Sequence, residues 1–212
     1  GEKAKPVISV NPVADGTVLS VVATTQTGTL SYAWYRDGVA IPGATGESYD
    51  SQGVAGRYFV RVSNGMNAVD SAVVEPPSSE LKGLVLSAGV LSPSFSAGAG
   101  SYTAVVENSV SELRVTASAA QGESVLTARV NAVDWMPLQS GVVSQALALA
   151  EGMNRVEVKV MARDGVSVKT YALEVRRMEP GMIQVSGGVI STGALLESLK
   201  TSEGGVGIWS SL

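Results

Sequence analysis

The chain has 212 residues with no cysteine and no histidine, and its 15 basic and 19 acidic residues give a net charge of −4. This composition excludes a disulfide framework and thiol chemistry, and it removes the commonest general base and the commonest zinc ligand. Because no basic stripe accompanies the acidic balance, we expect no nucleic-acid partner. No apolar run reaches the ~20 residues that a membrane-spanning helix needs, so we expect no membrane insertion.

The apolar residues are mainly Val, Ala and Leu, and they are mixed with Ser, Thr and Gly. That mixture favours short strands and many turns. The length suffices for two domains of ordinary size, each with its own core. We therefore predict an all-β protein with two domains in series.

The first block, residues 1–75, contains several segments of alternating apolar and polar residues. Asn11-Pro12 is predicted to end the first strand, and Asn64-Gly65 is predicted to form a hairpin turn, because glycine takes positive φ without steric cost. The predicted strands cover residues 7–10, 17–23, 30–36, 56–63 and 67–74.

The spacing of Trp34 and Tyr58 within these strands resembles that of an immunoglobulin-like domain. In that family a tryptophan of strand C packs on a disulfide, and a tyrosine lies two residues before the second cysteine. Val21 and Val60 occupy the two cysteine positions here, and residues 32–45 (YAWYRDGVAIPGAT) are similar to bacterial immunoglobulin-like modules that lack the disulfide. The resemblance implies an immunoglobulin-like β-sandwich for this block.

Residues 76–80 begin with two prolines, and we predict a short, semi-rigid linker there. Further along, residues 154–175 alternate with period two on both sides of Asp164-Gly165. A tight turn at those two residues places both apolar sets on one face, and a slip by one residue would separate them. The predicted cross-strand pairs are Val156 with Leu173, Val158 with Tyr171, and Arg155 with Glu174.

Residues 81–117 resemble the opening of the bacterial cadherin-like β-sandwich domain, which has the form L-x-x-L-x-(L/V)-S-x-G-x-L-x-P-x-F followed by S-Y-x-x-x-V. Residues 149–177 resemble that family's closing motifs, L-x-x-G-x-N, V-x-V, D-G and Y-x-x-x-V-x-R, while residues 123–144 depart most from the family. The resemblance implies that residues 81–177 form an antiparallel sandwich that serves as a spacer or interaction module in secreted or surface proteins. The matching positions are Leu81, Leu84, Leu86, Ser87, Gly89, Leu91, Pro93, Phe95, Tyr102, Val106, Leu149, Gly152, Asn154, Val158, Val160, Asp164, Gly165, Tyr171, Val175 and Arg177.

Residues 178–212 are too few for another sandwich. Within this tail, residues 182–190 are compatible with a strand pair around Gly187-Gly188, and residues 194–200 with one or two helical turns. The tail is interpreted either as the start of a further domain or as a segment that docks on the second sandwich, in which case Trp209 anchors it.

The sequence indicates no catalytic centre, so we expect no enzyme. The acidic residues are scattered singly along strands and turns, and without histidine or cysteine a hydrolytic triad would need unusual parts. No calcium-loop motif is present, and the glycine-rich stretch 96–100 has neither the lysine nor the following helix of a phosphate loop. We expect no cofactor and no metal, including no calcium between the domains.

Tyr35 and Phe59 are predicted to lie close together on an outer face of the first sandwich. Tyr35 alternates with the inward Trp34, and Phe59 alternates with inward residues between Arg57 and Arg61. One interpretation is a solvent-exposed cross-strand pair worth roughly 0.2–1 kcal/mol. The other is a contact patch for a protein partner, because surfaces that combine aromatic residues with arginine favour interfaces.

Trp135 lies in the irregular stretch 134–137. A loop tryptophan can stack on the apolar face of a sugar ring, although such sites also need several polar groups nearby. The alternative is a tryptophan folded back over its own core.

Three functions remain open from the sequence. The first is a non-catalytic adhesion, scaffolding or spacer module of a bacterial secreted or cell-surface protein, with a protein partner. The alternative is a carbohydrate-binding module of an extracellular polysaccharide-utilisation system, with a surface glycan as partner. In the third, the chain is a fragment of a larger enzyme, and these domains are its non-catalytic appendages. We expect an extracellular or cell-surface location, and the start at Gly1 is compatible with a removed export signal.

Overall fold

The computed structural model describes residues 4–185 and 188–191. Within these ranges the chain is all-β without helices, and it forms two β-sandwiches in tandem. This confirms the predicted fold class. The strands are numbered β1 to β18 in chain order.

The first sandwich consists of a three-stranded sheet, ordered β1-β2-β5, and a four-stranded sheet, ordered β4-β3-β6-β7. All of their pairings are antiparallel. The strands are β1 (Val7–Asp15), β2 (Val18–Thr24), β3 (Ser31–Arg36), β4 (Val39–Ala40), β5 (Ser48–Asp50), β6 (Tyr58–Ser63) and β7 (Ala68–Asp70).

The prediction that Asn11-Pro12 ends the first strand is wrong, because β1 continues through both residues to Asp15. Proline cannot donate a ladder hydrogen bond and is therefore found at edges and irregularities of sheets. Strand β1 is an edge strand, and its pairing with β2 shifts register twice, between Ile8 and Val10 and again between Val10 and Val13. The second irregularity accommodates the proline without ending the strand.

The core of the first sandwich surrounds Trp34, which is fully buried between the two sheets. Its indole Nε1 donates a hydrogen bond to the carbonyl oxygen of Gly46 at 2.9 Å, so the buried polar atom is satisfied. The valines in the two cysteine positions, Val21 and Val60, are both buried beside it. This arrangement is that of an immunoglobulin-like core in which aliphatic packing replaces the disulfide.

The hairpin predicted at Asn64-Gly65 joins β6 to β7: Ser63 pairs with Ala68, and Asn64 donates its amide to the carbonyl of Asn67, which leaves two residues in the loop. The buried Asn64 side chain organises this loop: its Oδ1 accepts hydrogen bonds from the backbone amides of Met66 and Asn67. Gly65 takes a φ of 82°, a conformation that glycine adopts without the steric cost of a Cβ atom.

The second sandwich has a five-stranded sheet, ordered β13-β12-β15-β16-β9. Two smaller pairs, β8 with β11 and β10 with β14, contribute to the same core. The strands are β8 (Leu81–Leu86), β9 (Ser101–Val106), β10 (Glu112–Leu113), β11 (Val115–Ala119), β12 (Val125–Val130), β13 (Met136–Leu138), β14 (Leu147–Ala148), β15 (Gly152–Met161) and β16 (Val168–Arg177).

The register predicted for residues 154–175 is confirmed, because all three predicted pairs occur between β15 and β16. The loop is wider than the predicted two residues: Ala162 donates its amide to the carbonyl of Ser167, which leaves four residues in the loop. The carboxylate of Asp164 accepts hydrogen bonds from the amides of Val166 and Ser167 and from the Ser167 hydroxyl. These bonds stabilise the wider loop around the predicted centre.

One pairing in the second sandwich departs from the antiparallel pattern. Strand β9 pairs with β16 in parallel, from Ser101 opposite Ala172 to Val106 opposite Arg177. The two strands are distant in sequence and are not joined by a hairpin, so no turn imposes an antiparallel direction on them. Tyr102 and Tyr171 are both buried in the core that this sheet covers.

The predicted strand pair at residues 182–190 is confirmed as β17 (Met182–Val185) and β18 (Gly188–Ser191), which pair in antiparallel fashion. Gly187 of the predicted turn, the helical turns predicted at residues 194–200, and Trp209 lie outside the described residues.

Candidate functional site

Tyr35 and Phe59 lie side by side on the outer face of the four-stranded sheet, as predicted. They are directly opposite each other in the β3–β6 register, while the neighbouring pair, Trp34 and Val60, points into the core. The two rings are stacked, with centroids 4.7 Å apart and an interplanar angle of 6°. Both side chains are half-buried, so each retains accessible surface.

Arg61 completes one side of this pair. Its guanidinium carbon lies 5.3 Å from the centroid of the Tyr35 ring, within the range of a cation–π contact. The same guanidinium donates to both carboxylate oxygens of Asp70, at 2.7 and 2.8 Å. This bidentate hydrogen bonding holds the pKa of the Asp70 carboxyl below its ordinary value.

Arg57 lies on the other side of the pair and is exposed. Its Nε is 3.6 Å from the carboxylate of Glu75, a contact that leaves both side chains at least half accessible. Together with Asp37, Phe59 and Val73, Arg57 lines a surface cleft of about 360 Å³. We call Tyr35, Phe59, Arg57 and Arg61 the aromatic patch.

Trp135 immediately precedes β13 and is half-buried. The guanidinium of Arg129 and the ammonium of Lys159 lie over its ring, 4.4 and 4.3 Å from the centroid. The hydroxyl of Thr127, which is opposite Lys159 in the register, is buried and has no hydrogen-bond partner. Trp135 thus packs over the cationic outer face of the five-stranded sheet, and its role in glycan stacking stays a prediction.

Sequence reasoning missed Arg129 and Lys159. Alternation places both on the outer face of their strands, but nothing local to Trp135 indicates that the loop returns over that face. Arg129 also donates to Glu157 at 2.6 Å, and this hydrogen bond is the main cause that lowers the pKa of the Glu157 carboxyl. Arg155 contacts the same carboxylate and pairs with Glu174 at 2.9 Å, so the outer face carries a continuous ladder of charges.

The segment predicted as a linker is held by hydrogen bonds from both sandwiches. On one side, the buried Ser78 donates its hydroxyl proton to the carbonyl of Gly53 at 2.6 Å. On the other side, Ser78 donates its amide to Oε1 of Gln121 at 2.9 Å, and Nε2 of Gln121 donates to the carbonyl of Pro76 at 2.6 Å. We call Pro76, Ser78, Gln121 and Gly53 the junction.

Glu80 extends these contacts across both sandwiches. Its Oε2 accepts a hydrogen bond from the amide of Ala55 at 3.2 Å, and its Oε1 is 3.8 Å from the ammonium of Lys169. Arg163 of the second sandwich also donates to the carbonyl of Glu75. The segment between the sandwiches therefore makes specific contacts to residues on each side.

In the described part of the chain, no helix is long and apolar enough to cross a membrane. The same residues contain no group of three or more acidic side chains that is arranged to hold a metal ion.

Residues 81–178 match the family model described as cadherin-like beta sandwich domain. A 100-residue stretch of the chain is 31% identical to a protein of Evansella cellulosilytica that is named as a membrane protein. That stretch covers 47% of this chain but 14% of the relative, so the chain corresponds to a small part of that protein.

Solved structures that align with this chain include the titin domains Z1Z2 in complex with telethonin. That alignment has 16% identity and a TM-score of 0.27 over 84% of this chain and 98% of that one. The N-terminal four immunoglobulin domains of Dscam1 match with 12% identity and a TM-score of 0.31 over 86% of this chain and 54% of that one. The fibronectin(III)-like modules of Clostridium thermocellum CbhA match with 13% identity and a TM-score of 0.28 over 82% of this chain and 94% of that one. These scores are too low to carry an argument about function.

Proposed function

We propose that this chain is a non-catalytic spacer and adhesion segment of a bacterial secreted or cell-surface protein. In this proposal the two sandwiches, which meet within residues 76–80, act as one stiff arm, and the aromatic patch contacts a protein partner.

The junction supports the spacer role and is the observation that carries the proposal. A free tether leaves its backbone groups to water, whereas the buried Ser78 is hydrogen-bonded to Gly53 of the first sandwich and to Gln121 of the second. The carbonyl of the buried Pro76 accepts a further hydrogen bond from Gln121. Removal of either Ser78 or Gln121 leaves buried polar groups unpaired, which costs about 1–3 kcal/mol for each group. Bending at the junction would break the same bonds, so the junction favours one angle between the sandwiches.

The aromatic patch supports the adhesion role. Half-buried stacked rings flanked by arginines combine large apolar area with charged donors, and aromatic residues and arginine are enriched where partners bind. Asp70 fixes the position of Arg61 before a partner arrives, which lowers the entropic cost of ordering that side chain on binding.

The cadherin-like match supports a secreted or surface location, since the resemblance implies that setting, and the Evansella relative is named as a membrane protein. The proposal concerns this segment alone, because that relative is much longer than the chain.

Interdomain stiffness can be measured by pulsed electron paramagnetic resonance, because the chain has no cysteine and two can be introduced for spin labels. The exposed Val39 and Val166 lie on different sandwiches and are suitable labelling positions. We expect one narrow distance distribution in the parent chain and a clearly broader one after Ser78→Ala with Gln121→Ala. The matched control is Ser94→Ala with Gln139→Ala, two exposed positions outside the junction, which should leave the distribution narrow. A parent distribution as broad as that of the junction variant would rule out the stiff arm.

The adhesion role can be tested with beads that carry the purified chain, applied to a surface coated with extracellular protein from the source bacterium. We expect retention of the parent beads and loss of retention for Tyr35→Ser with Phe59→Ser. Beads with Val166→Ser, an exposed change on the second sandwich, should be retained like the parent. Equal retention of all three would exclude the aromatic patch as the contact.

A further inference from the structure

The outer face of the three-stranded sheet in the first sandwich is unusually apolar. On β2, Leu19 and Val21 point into the core, so Val18, Ser20, Val22 and Thr24 point outward. A solvent-facing strand surface normally alternates polar residues with the buried set. Here two of the four outward positions are valine.

Strand β1 adds three more exposed valines to the same face. In the register, Val7 is opposite Thr24, Val10 is opposite Val22, and Val13 is opposite Ser20. A spacing of three residues would place Val7, Val10 and Val13 on alternate faces of a regular strand, but the two register shifts return each of them to the outer side. The valine face consists of Val7, Val10, Val13, Val18 and Val22, which are 42–60% exposed.

The two ends of this face carry opposite charge. At one end, Asp15 is opposite Val18, which is in turn opposite Asp50, so two exposed carboxylates flank a valine. At the other end, exposed Lys5 precedes Val7, with buried Pro6 between them. Ten residues separate Lys5 from Asp15, which corresponds to roughly 30 Å along the strand direction.

We propose that the valine face packs against the same face of a second copy of this chain. The two-fold axis lies in the interface and runs across the strands, so that each copy's Lys5 meets the other copy's Asp15 and Asp50. An axis along the strands would bring four carboxylates together instead, and like charges in contact are unfavourable. The charge distribution therefore selects one of the two face-to-face arrangements.

The size of the face sets the expected strength of this contact. Strands β1, β2 and β5 have nine, seven and three residues. At about 3.3 Å per residue and about 4.8 Å between strands, they cover roughly 300 Å² on each copy. A standard stable interface buries about 800 Å² on each partner, so the self-association should be weak and dependent on concentration. Contacts of this strength become effective when many copies are presented side by side. The inference does not depend on the aromatic patch, which lies on the opposite sheet.

Sedimentation velocity of the intact chain from about 10 μM to about 1 mM tests the inference. We expect the weight-average sedimentation coefficient to rise with concentration for the parent, and to stay at the monomer value for Val22→Lys. The control Val168→Lys introduces the same charge at an equally exposed valine of the second sandwich and should behave like the parent. Both variants lie on exposed positions, and matching thermal unfolding curves would establish that they fold.

A charge exchange tests the arrangement of the two copies. Asp15→Lys should weaken self-association by several-fold, and adding Lys5→Asp to it should restore most of the loss. The proposal would be overturned if the parent stayed monomeric at 1 mM, or if Val22→Lys and Val168→Lys reduced self-association equally. The valine face would then bind a different partner or none. Failure of the double charge exchange to restore association would overturn the proposed two-fold arrangement.

Discussion

The two sandwiches reach stability in different ways. Among the described residues, the core of the first contains seven buried apolar side chains, whereas that of the second contains twenty. In the first, the largest side chain, Trp34, spans the space between the sheets; in the second, burial is spread along β15 and β16, each ten residues long. One substitution at the central residue of the small core should therefore remove most of that sandwich's stability, whereas the large core should tolerate a single substitution.

The absence of a disulfide sharpens this difference. A crosslink at the positions of Val21 and Val60 would contribute roughly 2–4 kcal/mol in a domain of this kind. The first sandwich instead depends on the packing of Trp34 and on its hydrogen bond to Gly46. Domains of about 75 residues are marginal in any case, because they bury a smaller fraction of their surface on folding than larger domains do.

Trp34→Ala should have the largest effect. We expect a loss of about 3–5 kcal/mol, because the change creates a cavity at the centre of the smaller core. In urea denaturation of Trp34→Ala monitored by amide NMR signals, the first sandwich should unfold at a much lower urea concentration than the second. Trp135→Ala, a change at a half-buried tryptophan of the second sandwich, is the control and should leave the unfolding of the first sandwich close to that of the parent. Similar curves for Trp34→Ala and the parent would contradict a core centred on this residue.

Asn154→Ala probes how the second sandwich depends on a buried polar group. The side-chain Oδ1 accepts from the amide of Ala150 at 2.9 Å and from Nδ2 of Asn131 at 2.8 Å, and its Nδ2 donates to the carbonyl of Ala150 at 2.8 Å. The alanine leaves these groups unpaired, so we expect a loss of about 1–3 kcal/mol confined to the second sandwich.

Asn131→Asp is the matched control for this prediction. It removes the Nδ2 donor of one of the same bonds from an exposed position, keeps an oxygen for the amide of Arg155 and tolerates the positive φ of 49°, so it should cost less than Asn154→Ala. Chemical denaturation of the three proteins gives the comparison, and an equal cost for both variants would show that burial of Asn154 does not matter.

Glu157→Gln should change how the second sandwich responds to acid. The pKa of the Glu157 carboxyl is lowered in the folded state, mainly by the hydrogen bond from Arg129, so ionised Glu157 stabilises the fold above the ordinary glutamate value of about 4.3. That contribution is lost as the pH falls below this value and through the lower folded-state pKa. Thermal unfolding between pH 2.5 and 7 should therefore decline less steeply for Glu157→Gln than for the parent.

The control for the acid response is Glu107→Gln, which removes an exposed carboxylate from the same sandwich. It should keep the slope of the parent. If Glu157→Gln followed the parent slope as well, the charge ladder on the outer face would not contribute to acid stability.

Tyr35→Ala should have the smallest effect, although Tyr35 is the next residue after Trp34. Its ring lies outside the core and contributes through the stacked pair with Phe59, so we expect a loss of roughly 0.2–1 kcal/mol in urea denaturation. A loss close to that of Trp34→Ala would show that the ring belongs to the packing of the first sandwich and would weaken its assignment to the aromatic patch.

Much of this fold was accessible from the sequence because the information is local. In a strand, successive side chains point to opposite faces, so alternation alone places Trp34 inside and Tyr35 outside. A turn between adjacent strands sets their register, which is why the pairing of Val158 with Tyr171 was predicted although the loop proved wider. The candidate patch followed from the same two rules.

Asn11-Pro12 shows where local reasoning ends. The dipeptide predicts the end of a strand, yet β1 lies at an edge where the missing amide hydrogen bond of Pro12 costs little. Edge position is a property of the assembled sheet, so the sequence pattern could not supply it.

The sequence by itself determined which side chains are buried, where the hairpins turn and that two sandwiches follow each other, because these depend on neighbouring residues and on the pleat. Only the tertiary structure decided the parallel pairing of β9 with β16, the packing of Trp135 against Arg129 and Lys159, and the bonds that join Ser78 to both sandwiches. Each of these brings together groups that are distant along the chain. Their positions depend on how complete sheets pack, which no short pattern encodes.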